Sequence, residues 1–368
     1  MTDHPELSQV EQEQKTGAAR LSVASNGLLV LLKLAVGIMI NSVSVISEAI
    51  HSAIDLVAAL IALIAVKISG RPADRSHPFG HGKVENISGA VEAILIFGAA
   101  GWIIYEAIHK LLKPQPVEAV GWGFAVMMVS AVSNFFISRN LFRVARRTDS
   151  MALEADAWHL WTDVFTSAGV VAALGIMWVG AWLFPAVNLQ WIDPVAAIMV
   201  ALLILKAAWD LTWKAAHDLM DSSLPVNEED WIRDYVRQVN AKVRGFHGLR
   251  TRKAGAERFI DFHLVVDRSM SVEQSHSICD AITRDLRQRF GGGSVTIHVE
   301  PCDGYCSDRC VGGCFLSVKE RNRVRRRREN RIVRALSLDG AAETKRIDTL
   351  IPPVKSTGAG AAKTSRQG

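Results

Sequence analysis

Long apolar runs constrain this chain more than any other feature. They fall at roughly 21–40, 44–68, 86–109, 120–138, 152–183 and 193–213, and about 20 such residues in a helix cross the ~30 Å hydrocarbon core of a bilayer. Lipid offers the backbone no hydrogen-bond partner, so each run must satisfy its own bonds as a helix. The expectation is an α-helical membrane protein with six transmembrane helices. Composition agrees, since 49% of the residues are hydrophobic and 21% charged, a balance that excludes a disordered chain or a collagen-like repeat. Most of the charge lies in the first 20 residues, in two short loops and beyond residue 213. The first run does not read as a signal peptide, because a polar arm of about 20 residues precedes it and it lacks a small-residue cleavage site.

Orientation follows from Lys and Arg in the short loops. Lys67, Arg71, Arg75 and Lys83 lie between runs two and three, and Arg139, Arg143, Arg146 and Arg147 between four and five. The loops on the other side carry only Lys110 and Lys113. The positive-inside rule therefore places both termini in the cytoplasm, and the expected location is the cell's inner (plasma) membrane. The net charge of +5 comes mainly from an arginine-rich tail after Lys319. It needs no nucleic-acid partner, and membrane lipid is the expected surface.

After Asp221 the pattern becomes that of a soluble domain of about 80 residues. Asn227 is a plausible N-cap for a helix through Val243. Strands are expected near 247–253 and 258–266, the second alternating Ile260, Phe262 and Leu264 against Asp261, His263 and Val265. A helix over 271–290 and a strand over 295–300 complete an αββαβ order, an α+β fold with helices on one face of a small sheet. The expected division is an arm at 1–20, a membrane domain at 21–213, a cytoplasmic α+β domain at 214–302 and a tail at 303–368. That tail carries cysteines, then basic residues, and reads as disordered beyond about residue 315.

Charged groups inside spanning helices cost at least ~2.5 kcal/mol each and are rare without a function. Run two contains His51 and Asp55, and run five contains His159 and Asp163. The i, i+4 spacing stacks each pair on one helical face. Two such faces together offer two imidazoles and two carboxylates, a four-coordinate N/O set of the kind Zn²⁺ accepts. The alternative is that each pair only bonds across helices. Glu48 and Asp156 extend the pattern by one turn, either as waystations for cations or as shallow interfacial carboxylates.

With His51-Ser-Ala-Ile-Asp55, Asp156-Ala-Trp-His159-Leu-Trp-Thr-Asp163 and the loop Asp74-Arg-Ser-His-Pro-Phe-Gly-His81-Gly-Lys83, the chain resembles the cation diffusion facilitator family of divalent-metal transporters. The likeness covers roughly residues 15–302. It implies a homodimer that exports cytoplasmic Zn²⁺ or a similar divalent metal ion in exchange for protons, with a metallochaperone-like cytoplasmic domain. It also implies a second metal site at the cytoplasmic rim on Asp74, His77 and His81. A third set, on His247, His263, His276, His298 and Glu300, would bind Zn²⁺ as a regulatory ligand, and a charge pair would join Lys83 to Asp221. A set of two His and two Asp resembles the zinc-selective type, and imidazole disfavours hard cations. Alternating strand geometry independently places His298 and Glu300 on one face. Eight of the chain's 11 histidines fall in these sets.

Cys302, Cys306, Cys310 and Cys314 recur at every fourth residue. This spacing is wider than a C-x₂-C knuckle, and a zinc clip, an iron–sulfur ligand set and a loose thiol cluster all remain open. No GxxxxGK[ST] phosphate loop is present, which favours an ion-coupled transporter over an ATP-driven pump, and no catalytic residues are assigned. Two rivals are an intramembrane zinc-dependent hydrolase and a metal-sensing membrane receptor. The first lacks an HExxH helix, and its metal would have four protein ligands and no open position.

Overall fold

The computed structural model describes residues 5–39, 43–112, 122–183, 191–239 and 242–338. Six long helices come first: α1 (Pro5–Met39), α2 (Val43–Ser69), α3 (Lys83–Leu112), α4 (Trp122–Thr148), α5 (Met151–Leu183) and α6 (Ile192–Leu219). Four of them, α1, α2, α3 and α6, are long and apolar enough to cross a membrane. The other two, α4 and α5, have similar length. The expected six spans therefore stand as six long helices, four of them clear in composition among the described residues.

The helices pack with small and polar residues inward and large aliphatic ones outward. In α1 the buried positions are Lys15, Ala18, Ala19, Ser22, Asn26, Leu29 and Lys33, while Leu28, Leu31 and Ile38 are exposed. The buried set recurs every three or four residues, which is one helical face. Along α3 the buried residues include Glu85, Asn86, Ser88, Gly89, Glu92 and Ala93, against exposed Ile87, Val91 and Ile94. This arrangement suits a lipid solvent, where aliphatic side chains gain nothing by facing each other and small residues let helix backbones approach. Two alanine-rich clusters form the interior. One gathers Ala18, Ala65, Ala145, Leu141, Leu153 and Ala157, and the other Ala93, Ala100, Ala155, Ile204, Ala208 and Leu211. Helix α1 packs on α2 and α4, α3 on α6, and α5 on α4, α6, α3 and α2.

The remaining elements are α7 (Val226–Gln238), β1 (Val243–Ala254), β2 (Glu257–Val266), α8 (Val272–Phe290), β3 (Ser294–Pro301), α9 (Asp308–Gly312) and α10 (Val318–Leu338). The three strands form one sheet in the order β1-β2-β3. β1 and β2 make a hairpin whose tip holds Gly255 at φ +60°, a conformation that glycine adopts without strain. β2 and β3 run parallel: Gly293 lies against the Arg258 carbonyl at their starts, and the Cys302 N–H donates to the Val266 carbonyl at their ends. Parallel neighbours require a crossover, which α8 supplies. Phe262, Leu264, Ile282 and Leu286 are fully buried, as strand alternation and helical spacing lead one to expect.

The chain divides into two compact units: Met1–Ile232 with Leu249–Asp261 and Asp280–Thr296, and Arg233–Gly248 with Phe262–Cys279 and Ile297–Gly368. Two expectations need correction. The arm before residue 21 is not separate, because α1 begins at Pro5 and uses Lys15 and Ala18 on its buried face. The chain beyond residue 315 is not disordered throughout. Val318–Leu338 is helical, started by Ser317, whose backbone N–H and hydroxyl donate to Glu320 while its hydroxyl accepts from the Glu320 N–H. This is a reciprocal capping box. Residues 339–368 of the expected tail lie outside the described residues.

Candidate metal centres

The first centre lies within the helical bundle. One ligand atom from each of His51, Asp55 and Asp163 falls within 4.8 Å of the others, and His159 Nε2 shares a 3.0 Å hydrogen bond with Asp55 Oδ1. All four residues singled out by spacing are thus gathered, two from α2 and two from α5. His159 is 6% and Asp55 4% exposed, so neither can rely on water for its polar atoms. His159 Nδ1 is buried without a hydrogen-bond partner among the described residues. Asn134 of α4 donates to Asp163 Oδ2 at 3.0 Å and so orients that carboxylate from outside the set.

Glu48 and Asp156 have different surroundings. Glu48 accepts from Lys33 Nζ at 3.1 Å, and the same ammonium reaches Ser52 Oγ at 2.7 Å. Asp156 is fully buried among the helices. Lys33, Asn134 and the buried Lys15–Glu85 pair at 3.0 Å were not singled out from sequence. For Lys33 the signal was available, because a charged residue in an apolar run costs free energy unless it has a partner; Lys15 and Glu85 fall outside the runs.

The second centre is the loop between α2 and α3. Asp74 Oδ1 accepts from the backbone N–H groups of Ser76 and His77 and from the Ser76 hydroxyl, at 2.7–2.8 Å. The Ser76 hydroxyl, followed by the His77 N–H, holds the Asp74 carboxyl at about 2, so it is an anion at neutral pH. His77 Nδ1 lies 3.4 Å and His81 Nε2 3.3 Å from this carboxylate. The three form a compact group of ligand atoms. His81 Nδ1 is buried and unpartnered among the described residues. Gly80 at φ +82° turns the chain between the two histidines.

The third centre crosses the sheet. His247 on β1, His263 on β2 and Glu300 on β3 have ligand atoms within 4.8 Å of one another. His263 Nδ1 is 2.7 Å and His247 Nε2 3.5 Å from the Glu300 carboxylate. His298 Nε2 lies 3.8 Å from the same carboxylate, and its ring is 4.9 Å from that of His263. A β-carbon at Gly248, whose φ is +67°, would approach the His263 ring to 3.2 Å, so the glycine gives that imidazole room. His276 is exposed on α8 and stands outside the group.

The expected charge pair is present, with Lys83 Nζ 2.9 Å from Asp221 Oδ1. Arg252 Nη1 shares the carboxylate at 3.2 Å, and the two cations hold Asp221 below the usual carboxylate range. The hairpin tip makes further contacts nearby. The Gly255 N–H donates to Asn86 Oδ1 at 2.8 Å, and a β-carbon at Gly82 would meet the Ala254 carbonyl at 2.3 Å. Asp149 bridges Lys253 at 2.7 Å and Arg258 at 3.2 Å. Burial alone would raise its carboxyl, but Lys253, then Arg258, lower it overall.

A bundle of long apolar helices around a His/Asp set whose Asp55 and His159 are buried, joined to an αββαβ domain bearing a further ligand cluster, defines a multi-pass membrane protein built to handle cations. Comparison with known proteins agrees. The cation efflux transmembrane domain matches residues 19–220, and the cytoplasmic domain of cation efflux proteins matches 224–302. The uncharacterized transporter sll1263 of Synechocystis sp. is 35% identical over 285 residues, 77% of this chain and 90% of its own length. The cation-efflux pump FieF of Klebsiella pneumoniae subsp. pneumoniae is 32% identical over 286 residues, 77% and 92% of the two chains. A solved structure from work on the mode of action of CzrB is 41% identical, covering 22% of this chain and 98% of its own with a TM-score of 0.21. The chain belongs to the cation diffusion facilitator family of cation efflux transporters. It is a transporter, not an enzyme.

Proposed function

We propose that this chain carries Zn²⁺ out of the cytoplasm in exchange for protons, as a homodimer in the inner membrane. The observation that carries the reading is the convergence of His51, Asp55 and Asp163, with His159 hydrogen-bonded to Asp55. Two nitrogen and two oxygen donors match the tetrahedral preference of Zn²⁺ and leave a hard cation poorly served. The cation is the substrate of this site. His51 and His159 bind it as neutral imidazoles, and Asp55 and Asp163 as carboxylates.

The same ligands explain proton coupling. A ligand must lose its proton before it binds metal, so a proton arriving from outside competes with the ion and helps expel it. The Asp55–His159 hydrogen bond is a place for such a proton to reside. Lys67, Arg71, Arg75 and Lys83 at and beside the α2–α3 loop, with Arg139, Arg143, Arg146 and Arg147 in the C-terminal part of α4, orient both termini to the cytoplasm. Asp74, His77 and His81 then form a collection site at the cytoplasmic rim. His247, His263 and Glu300, with His298 beside them, form a regulatory Zn²⁺ site, which His276 joins only when α8 of the same or the partner protomer approaches. The unpartnered, buried His247 Nδ1 and the close contacts to Glu300 fit such a ligand set.

Purified protein in proteoliposomes, given an imposed pH gradient and a series of divalent cations, tests the reading. Zn²⁺ should move against the proton flow and alkalinise the compartment that loses protons. Peptide or lipid cleavage without flux would replace the transporter with a hydrolase. Flux that is indifferent to the pH gradient would remove the exchange mechanism.

A further inference from the structure

Family likeness ends at residue 302, where the first of four regularly spaced cysteines stands. The chain continues in a defined path. Cys302 follows β3 and its N–H is held by the Val266 carbonyl. Cys306 sits in the turn beyond Gly304, and Cys310 lies in α9. Cys314 pairs with Gly245 as an antiparallel bridge, with hydrogen bonds from Phe246 N–H to Gly313 O and from Phe315 N–H to Arg244 O. The segment thus runs from β3 to β1, the opposite edge of the sheet, although no three of the cysteine sulfurs lie within 4.8 Å of one another among the described residues. All four line one cavity of about 310 Å³, and His247 and Glu300 contribute to the same wall.

Ordinary structural roles do not account for these residues. None forms a disulfide, and each is half-buried, whereas a cysteine that serves only as a small core residue is usually fully buried. The cavity also has Arg321 in its lining, and Arg328 stacks over Tyr305, another lining residue, at 5.0 Å. A divalent ion held by four thiolates carries two net negative charges, which these guanidinium groups offset.

We propose that Cys302, Cys306, Cys310 and Cys314 form a four-thiolate site for a soft or borderline divalent cation of the Zn²⁺ and Cd²⁺ class, sharing a wall with the His247–His263–Glu300 cluster. Such a set is closed and tetrahedral, the form of a structural or sensing site rather than of a transport site that must release its ion. Each coordinating thiol gives its proton to solvent as the metal–sulfur bond forms. The carrier segment can close around the ion because it is mostly irregular. Gly304, at φ +85°, has no β-carbon to strike the Val324 carbonyl of α10, which would lie 3.0 Å away. The site is independent of the transport reading, since it shares no residue with the intramembrane set.

Co²⁺ titration of the reduced full-length protein in detergent tests it. Wild type should develop the near-ultraviolet thiolate-to-cobalt charge-transfer band and the strong visible bands of a tetrahedral sulfur site. Bound Co²⁺ or Cd²⁺ should also protect four of the five cysteines from alkylation. The charge-transfer band should disappear in C302S/C306S/C310S/C314S and persist in His247→Ala with His263→Ala. Absence of the band in wild type, or its persistence in the fourfold variant, overturns the proposal. So does acid-labile sulfide with visible absorption in the isolated protein, which marks an iron–sulfur cluster. Thiol protection is read on wild type alone, so a fourfold variant that does not fold leaves the test intact: unprotected thiols reject the site.

Discussion

His159 is the ligand whose removal is most informative, because it is buried at the centre of the bundle and bonds directly to Asp55. His159→Ala should abolish Zn²⁺ flux in proteoliposomes while leaving the protein's elution position unchanged. Asn134→Ala should be milder. It removes only the donor that orients Asp163, and loss of such an outer partner lowers metal affinity ~10–100-fold, which will appear as a higher Zn²⁺ concentration at half-maximal flux. Equal flux in wild type and His159→Ala would displace the transport site. The contrast also shows what the residues revealed in advance. His51, Asp55, His159 and Asp163 stood out because ionisable groups in apolar helices are costly and their i, i+4 spacing shares a face. Asn134 escaped notice because it carries no charge, and its role depends on a neighbouring helix that sequence spacing does not bring near. Lys33 carries a charge and could have been seen, but its partners Glu48 and Ser52 belong to α2.

Among the elements, helices and strands were legible where periodicity was strong. β2 buries Phe262 and Leu264 and leaves Asp261 exposed, following its alternation. α10 was misread because its arginines suggested a solvated tail, although Ser317-Val-Lys-Glu320 is a capping-box signature that composition alone conceals. The hairpin tip was less accessible still. Its importance rests on Asp149, a positive-φ residue between α4 and α5, meeting Lys253 and Arg258 of β1 and β2. Asp149→Asn keeps the shape but removes the charge. With Asp149 about a third exposed, the expected loss is about 1 kcal/mol at neutral pH, the scale of a screened ion pair. The folded-state carboxyl is lowered, so its contribution is complete above the unfolded value of about 3.9 and disappears as pH falls through the folded one. Thermal midpoints of wild type and variant should therefore differ at pH 7 and converge in acid. A gap that persists in acid would assign the effect to lost packing or hydrogen bonding instead of charge.

For the whole molecule, the sheet cluster offers a way for cytoplasmic metal to act on the proposed dimer. His247, His263 and Glu300 come from three different strands, His298 approaches the same carboxylate, and His276 stands apart on α8. Ligands spread in this way stabilise whichever arrangement of elements or protomers completes the set, so metal shifts a population instead of filling a finished cage. If cytoplasmic Zn²⁺ favours a docked pair of soluble domains, and docking favours transport, then by linkage the docked state must bind Zn²⁺ more tightly. Labels on the two soluble domains, read by pulsed electron resonance in lipid nanodiscs, should shift to shorter separations on Zn²⁺ addition and return when a chelator removes it. His263→Ala with His298→Ala should abolish the shift while leaving Co²⁺ charge transfer at the cysteine site in place. That pairing separates the two clusters, since loss of both responses would mean that they form one composite site. If the wild-type distances do not respond to Zn²⁺, or the double variant responds equally, the histidine cluster is a static feature of the sheet and control of transport lies elsewhere.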